Sequence, residues 1–327
     1  MYDLITIGAA TRDVFLKSKK ITTHKDAHYR TGSALCFDMD SKNELDEVHL
    51  STGGGATNAA ITFARQGLKT ASIVRVGSDS FGKEIIDELK KEKVSVEFVQ
   101  KDKKPETGYS TIITATDGSR VILVKRGVSA DIKFADIKLS KLKTRWIYIS
   151  SLGGDLALLS KILNFAKKNK IKTAWNPGQK ELNAGLERLK PLIKSVDAFM
   201  LNKDEASALL NLPFKNDAEI FQKLENMVKG IVVMTKGKEG VSVYDGKDIY
   251  CAGIPKSPIV GRTGAGDAFN SGFVSAIASG KEISYAIQLG TANSTSLIQH
   301  FSAKTGLLKK DQWGKYPRVK VSKNKCF

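Results

Sequence analysis

The segment Gly261-Arg262-Thr263-Gly264-Ala265-Gly266-Asp267-Ala268-Phe269-Asn270 sets one carboxylate among small residues, and Gly272, Phe273, Ala276 and Ile277 follow at helical spacing. A glycine loop therefore opens a helix. At a helix N-terminus the N–H groups of Ala265, Gly266 and Asp267 lack intrahelical partners and form a nest for anionic oxygens, which the helix dipole reinforces. Phosphate is the natural guest. Asp267 does not suit a cradle that only binds phosphate, because its charge repels the ligand. It suits a general base beside the acceptor of a phosphoryl group; the plainer alternative is an acid in the first turn of a helix.

A second glycine run, Thr52-Gly53-Gly54-Gly55-Ala56-Thr57-Asn58-Ala59-Ala60, opens another helix. A strand-to-helix turn at positive φ explains one or two of these glycines. Close approach of the backbone at Gly54 and Gly55 to a bound molecule, with the Asn58 amide on one of its hydroxyls, accounts for the rest. Two rival readings fail. A dinucleotide fingerprint starting at Gly264 needs a small residue where Phe269 stands, and belongs after the first strand. Gly77-Ser78-Asp79-Ser80-Phe81-Gly82-Lys83-Glu84 matches a P-loop only as far as Glu84, where a hydroxyl for magnesium is required.

The scaffold that must hold these loops shows alternation. Residues 4–7, 71–76, 146–149, 173–175, 198–201, 231–235 and 241–244 read as strands, while 56–66, 83–91, 156–169, 203–210, 217–227, 265–278 and 283–298 repeat apolar residues at helical spacing. This predicts an α/β body, a doubly wound and mostly parallel sheet with helices on both faces. Segments of about 12–51 and 106–126 break the rhythm. In the second, Gly108-Tyr109-Ser110-Thr111-Ile112-Ile113-Thr114 leads through a turn at Asp117-Gly118 into Arg120-Val121-Ile122-Leu123-Val124, the pattern of a hairpin. The two segments are expected to pair as a small β-sheet lid that shuts water out. No repeat or linker divides the chain, so one domain over 1–327 with two inserted lid segments is expected.

Hydrophobic residues make up 41% of the chain, enough for a sizeable core, yet runs such as Ile231-Val232-Val233-Met234 fall far short of the roughly 18–20 residues of a membrane helix. The first residues enter a strand with no basic region before it, so no secretory signal and a cytoplasmic location are expected. Cys36, Cys251 and Cys326 are odd in number, far apart and without a CxxC pair, which predicts reduced thiols rather than a disulfide framework or a zinc ribbon. His24, His28, His49 and His300 form no metal-binding pattern. The net charge of +18 suits a polyanionic partner. Its carriers, however, are 42 lysines and only 10 arginines, spread over helix faces such as Lys83, Lys90, Lys91 and Lys93, whereas nucleic-acid readers lean on arginine forks and interleaved aromatics. No nucleic acid and no membrane are expected as partners, and the basic stretch 318–325 reads as a frayed tail.

Gly53 to Asn58 with Val76-Gly77-Ser78-Asp79-Ser80-Phe81-Gly82, and Thr263 to Phe269 some 200 residues later, resemble the first and second signatures of the PfkB (ribokinase-like) carbohydrate kinase family. The resemblance spans nearly the whole chain and implies a ribokinase-like fold. It implies a kinase, dependent on ATP and Mg²⁺, that transfers the γ-phosphoryl group to a hydroxyl of a sugar or sugar-like small molecule. A nucleoside kinase of the same family, of the adenosine, inosine, guanosine or cytidine type, is the alternative. By this resemblance Asp267 is the general base, and Gly264, Ala265 and Gly266 form the anion hole. Asp13 matches the acid that binds substrate hydroxyls, with Gly54, Gly55 and Asn58 as its partners. Asn202-Lys203-Asp204-Glu205 matches an N-x-x-E element associated with phosphate and magnesium. Thr235-Lys236-Gly237 matches the loop that meets the nucleotide phosphates, and Asn293 falls near the adenine. Each has a plainer reading: a turn residue for Asp13, a helix cap and its box partner for Asn202 and Glu205, a polar helix surface for Asn293.

The chain also departs from the family pattern. Many members read Asp-Thr-Thr before Gly-Ala-Gly-Asp, where this chain has Gly261-Arg262-Thr263. The acid linked to a monovalent-cation site is missing, so little dependence on potassium is expected, and Arg262 is expected to touch nucleotide phosphate as an always-charged fork. Gly55 stands where ribokinases often carry lysine, which argues against ribose as substrate. Exposed lid edges are expected to pair with a second copy in a homodimer.

Overall fold

The computed structural model describes residues 1–29, 32–103, 106–115 and 119–326. The chain runs through β1 (Tyr2–Ile7), β2 (Thr11–Lys17), β3 (Thr22–Lys25), β4 (Ser33–Cys36) and β5 (Glu47–Gly53) into helix α1 (Gly55–Arg65). β6 (Thr70–Ile73) and β7 (Arg75–Val76) precede α2 (Ser80–Lys91), and β8 (Gln100–Lys101), β9 (Gly108–Thr114) and β10 (Arg120–Lys125) follow. Strands and helices then alternate through β11 (Thr144–Ile149), α3 (Leu156–Lys168), β12 (Lys172–Trp175), α4 (Gln179–Leu182), α5 (Leu186–Ile193), β13 (Ala198–Asn202), α6 (Lys203–Leu210), α7 (Asp217–Glu225) and β14 (Ile231–Thr235). Last come β15 (Val241–Tyr244), β16 (Ile249–Ala252), α8 (Ala265–Ala278), α9 (Ile283–Leu297) and β17 (Val321–Lys323).

The main sheet has the order β6-β1-β11-β12-β13-β14-β15-β16-β17, parallel from β6 to β14 and antiparallel beyond. Both of its faces are buried. On one side Ile5, Ile147, Ile149, Phe199, Leu201 and Val232 pack with α3, α5, α6 and α7; on the other Leu4, Tyr148, Met200 and Val233 pack with Phe63 of α1, Phe269 and Phe273 of α8, and Ile287 of α9. Successive strand residues thus serve opposite cores, which is why these strands read as unbroken apolar runs rather than alternating ones. The doubly wound sheet expected from the sequence is present. Chain order reverses at β1, with β6 on one flank and β11 on the other, and the crevice beyond the carboxyl ends of such strands is where open α/β sheets take ligands.

The two segments that break the helical rhythm form a second sheet of order β10-β9-β2-β5, with β2 parallel to β9 and antiparallel to β5. The expected turn at Asp117-Gly118 lies outside the described residues. The run 71–76 is not one strand: it breaks after Ile73, and β7 pairs with β8 in a separate ribbon.

The C-terminal end differs from expectation. The basic stretch is not frayed, because β17 pairs with β16 at the edge of the main sheet. Nor are all thiols reduced, since Cys326 forms a disulfide with Cys251 of β16, leaving Cys36 free and exposed. The two cysteines are 75 residues apart and become neighbours only through the sheet edge, which spacing alone does not reveal. No helix among the described residues is long and apolar enough to cross a membrane. Thiol titration of the unfolded, unreduced protein is expected to find one reactive cysteine, and three after reduction; reduction should lower stability by about 2–4 kcal/mol in denaturant melts. Three thiols without reductant would show that the pair is open.

Candidate active site

Two helix N-termini meet at the crevice. α1 is entered through Gly54 at φ 95° and α8 through Gly264 at φ 80°. At Gly264 that backbone favours glycine, and a Cβ there would also lie 2.8 Å from the Cβ of Ala303. In the first turn of α1, Asn58 donates from Nδ2 to Oδ2 of Asp267 at 2.8 Å, so the two glycine loops of the sequence become one site. A side chain at Gly55 would press on Ser150 and come within 3.5 Å of Asp267 Oδ1; glycine keeps that oxygen approachable.

Asp13, 5% exposed on β2, accepts hydrogen bonds at Oδ1 from Ser110 (2.6 Å) and Thr11 (2.8 Å). Burial raises its pKa, against those bonds and the nearby Lys304 charge. Burial also raises the pKa of Asp267; the Asn58 bond opposes this and the charge of Asp13 adds to it. Glu205 is pushed up to about 7, chiefly by burial and further by the charges of Asp267 and Asp204. Asp13 and Glu205 are thus both within electrostatic reach of Asp267. Among the described residues no three His, Cys, Asp or Glu side chains cluster to form a metal site by themselves; Glu205 could contribute one hard oxygen donor to a magnesium ion.

The loops after β13 and β14 lie side by side, Asn202 opposite Thr235 in register, with Gly237 following at φ 55°. Asn202 and Glu205 form the reciprocal cap read as their plainer role: Asn202 Oδ1 accepts from the Glu205 N–H at 2.8 Å and Glu205 accepts from the Asn202 N–H at 2.9 Å. The cap does not remove Glu205 from the vicinity of Asp267. Of the three amides nominated for the nest, that of Ala265 donates to the Arg262 carbonyl at 3.2 Å, leaving those of Gly266 and Asp267 without an acceptor among the described residues. Asn293 is not a surface residue. It is fully buried, donates to the Ala268 carbonyl at 2.8 Å and accepts from the Leu308 N–H at 2.8 Å, because it faces inward from α9. Asp79, in the P-loop look-alike, caps α2 by accepting from the Gly82 N–H at 2.9 Å.

Other residues at the site carried no signal in the sequence. Lys304, 3% exposed, donates to Glu88 at 2.7 Å and to Thr52; burial lowers its pKa while Glu88 and Asp13 support its charge. The buried Tyr148 hydroxyl, Ser150 Oγ, Asn58 Oδ1 and Asn270 Oδ1 have no partner among the described residues. Burial and the charge of Asp267 raise the pKa of Tyr148 well above its ordinary value, so it stays a donor. Buried polar atoms are normally paired, and this group around Asp267 suits a polar guest.

The mostly parallel sheet with its small companion sheet, and two glycine-led helices meeting at one carboxylate, define a ribokinase-like α/β fold. The chain matches the pfkB family carbohydrate kinases over residues 3–310 and belongs to that family. It is 30% identical to a ribokinase of Lactococcus lactis subsp. lactis over 269 residues, 81% of this chain and 85% of that protein. An uncharacterized sugar kinase of Archaeoglobus fulgidus is 29% identical over 248 residues, 75% of this chain and 97% of its own length. Among solved structures, the nucleoside kinase of Methanocaldococcus jannaschii superposes with a TM-score of 0.72 at 21% identity, covering 94% of this chain and 95% of that one. This chain is accordingly a phosphotransferase with an alcohol group as acceptor, a ribokinase-family sugar or nucleoside kinase.

Glu205 gives a pH signature. With a folded-state pKa of about 7 against an ordinary 4.5, the folded chain takes up a proton that the unfolded chain lacks; the penalty for ionising Glu205 is absent below about 4.5, grows as pH rises, and is complete above about 7. Glu205→Gln keeps an oxygen for the Asn202 N–H and removes the penalty. In thermal melts without ligand, the variant should exceed the parent by clearly more at pH 8 than at pH 5. An equal difference at both pH values would show that Glu205 is not desolvated.

Proposed function

We propose that the chain is an ATP-dependent kinase in which Asp267 takes the proton from a hydroxyl of a sugar, or of the sugar part of a nucleoside, as that hydroxyl attacks the γ-phosphorus. The observation that carries this reading is the Asn58–Asp267 bond, which holds one carboxylate oxygen and leaves the other open beside free helix N-terminal amides. Raised proton affinity makes Asp267 a better base. Asp13, fixed by Ser110 and Thr11, accepts from acceptor hydroxyls and sets the acceptor's distance from Asp267. Gly54, Gly55 and Asn58 line the acceptor side, and the amides of Gly266 and Asp267 receive the oxygens of the transferring phosphoryl group. On the nucleotide side Asn202, Thr235 and Gly237 meet the phosphates. Glu205 would hold magnesium, which when bound neutralises phosphate charge. The second sheet, carrying Asp13, acts as the lid that keeps water from the reacting centre.

Replacing Asp267 with Asn should lower kcat by roughly 10²–10⁴ with ATP affinity retained, because the amide preserves shape and cannot accept the proton. Near-normal turnover in an ADP-release assay would remove Asp267 from the base role. Asp13→Ala should raise the acceptor KM roughly 5- to 150-fold, the equivalent of about 1–3 kcal/mol for a lost hydrogen bond to a charged group, with the ATP KM little changed. An unaltered acceptor KM would take Asp13 out of the pocket.

The reading includes a homodimer through the lid. On its outer face the register aligns Leu50, Val14, Thr111 and Leu123 in one row and Val48, Leu16, Ile113 and Val121 in the next. Leu50 is 61% exposed and Leu123 56%, and a second copy would cover them. Light scattering is expected to give twice the 35.6 kDa chain mass, and Leu50→Glu with Leu123→Glu to give the single mass. A parent protein already at the single mass would contradict this.

A further inference from the structure

The inner face of the small sheet is also ordered in rows. Asp13 lies between Ser51 and Ser110; two residues on, Phe15 lies between His49 and Ile112; two further, Lys17 lies between Glu47 and Thr114, with Arg120 opposite Thr114 on β10. At about 3.3–3.4 Å per residue, neighbouring rows are about 7 Å apart. The first row is polar, the second largely apolar, the third basic. Below the second and third rows a cleft of about 370 Å³ opens between this sheet and the loops 259–263 and 300–302, walled by Phe15, Lys17, Arg120, Arg262, His300 and Phe301 among others.

The charge in this cleft is unbalanced. Lys17 is neutralised by Glu47 at 2.8 Å. Arg120 and Arg262 have no hydrogen-bond or ion-pair partner among the described residues, whereas Arg12, Arg65, Arg75 and Arg145 each face a carboxylate. The two are near neighbours: crowding by the surrounding chain, and then the charge of Arg262, lower the pKa of Arg120. Two guanidiniums lining one cleft without an acid repel one another, and a doubly charged oxyanion between them relieves the repulsion and gives each a charge-assisted, bidentate partner. Arg120 belongs to the sheet that carries Asp13, on the acceptor side, while the loops read as nucleotide contacts lie at the ends of β13 and β14.

We propose that the cleft between Arg120 and Arg262 binds a phosphate group already present on the acceptor, so that the preferred substrate is a sugar monophosphate. The inference rests on the kinase reading and narrows it. Asp13 and Asp267 address the hydroxyl end of such a molecule, Phe15 packs against its carbon skeleton, and the basic row takes the phosphate one to two rows away. A neutral sugar or nucleoside fills the first two rows and leaves both arginines unpaired.

ADP release should be measured with fructose and fructose 6-phosphate, ribose and ribose 5-phosphate, and adenosine and adenosine monophosphate. At least one sugar monophosphate is expected to exceed its unphosphorylated partner 100-fold or more in kcat/KM. Arg120→Gln should raise the KM for that monophosphate at least 30-fold and leave the ATP KM within twofold, with Arg120→Lys in between; inorganic phosphate should compete with the acceptor and not with ATP. Equal or better use of an unphosphorylated acceptor overturns the inference and leaves the kinase reading standing. A rise in the ATP KM in place of the acceptor KM also overturns it, by assigning the arginines to the nucleotide. No ADP from any member of the panel overturns both readings.

Discussion

The Asn58–Asp267 hydrogen bond exists only because α1 and α8 pack side by side on the same face of the main sheet. Ala59 and Phe63 from one helix share a core with Phe269 and Phe273 from the other, so the apolar residues one turn beyond each glycine loop determine where the polar ones point. Close packing extends to α9, where Gly272 faces Gly290 with too little space for a side chain between them. The site's carboxylates are consequently kept near one another by contacts that have nothing to do with charge. Held there, Asp13, Asp267 and Glu205 have their proton affinities raised chiefly by burial, the charge of Asp13 adding to this at Asp267 and that of Asp267 at Glu205, an arrangement the two hydrophobic layers must offset.

What could be read from the sequence follows from the range over which a signal acts. The central strands of the main sheet, parallel or antiparallel, are buried on both faces and bounded by turns, so 231–235 and 241–244 can be placed to the residue. Glycine loops are legible because few residue types tolerate positive φ or a backbone pressed against a carboxylate. Pairing between distant segments is not legible. The three-residue β17 has no internal pattern, and its cysteine meets Cys251 only after the sheet forms. Lys304 is one of 42 lysines until burial beside Asp13 and Glu88 sets it apart. Asn293 misleads for a related reason: a polar residue in a helix suggests a surface, yet here it is buried and bonds the Ala268 carbonyl and the Leu308 amide.

The acid-lined crevice sits in a chain of net charge +18. Long-range attraction therefore draws in anions, while repulsion from the carboxylates is felt only at contact distance, where salt does not screen it. Recognition at the centre must come from directional groups: the helix N-terminal amides, the Asn58 side chain and the row of hydroxyls around Asp13. Surface charge sets how fast an anionic molecule arrives and leaves the choice among anions to geometry.

The edge strand β17 follows α9 in chain order, and it covers β16. Until residues 321–323 have been made and have docked, the backbone groups of Ile249–Ala252 on that side lack this partner, and the growing chain presents an unpaired strand edge of the kind that templates misassembly. The sheet thus has a vectorial order of completion: its parallel centre can form first, and this boundary closes only after β17 has emerged. A chain truncated before Val321 would keep its core strands and both glycine-led helices, and would carry an adhesive flank.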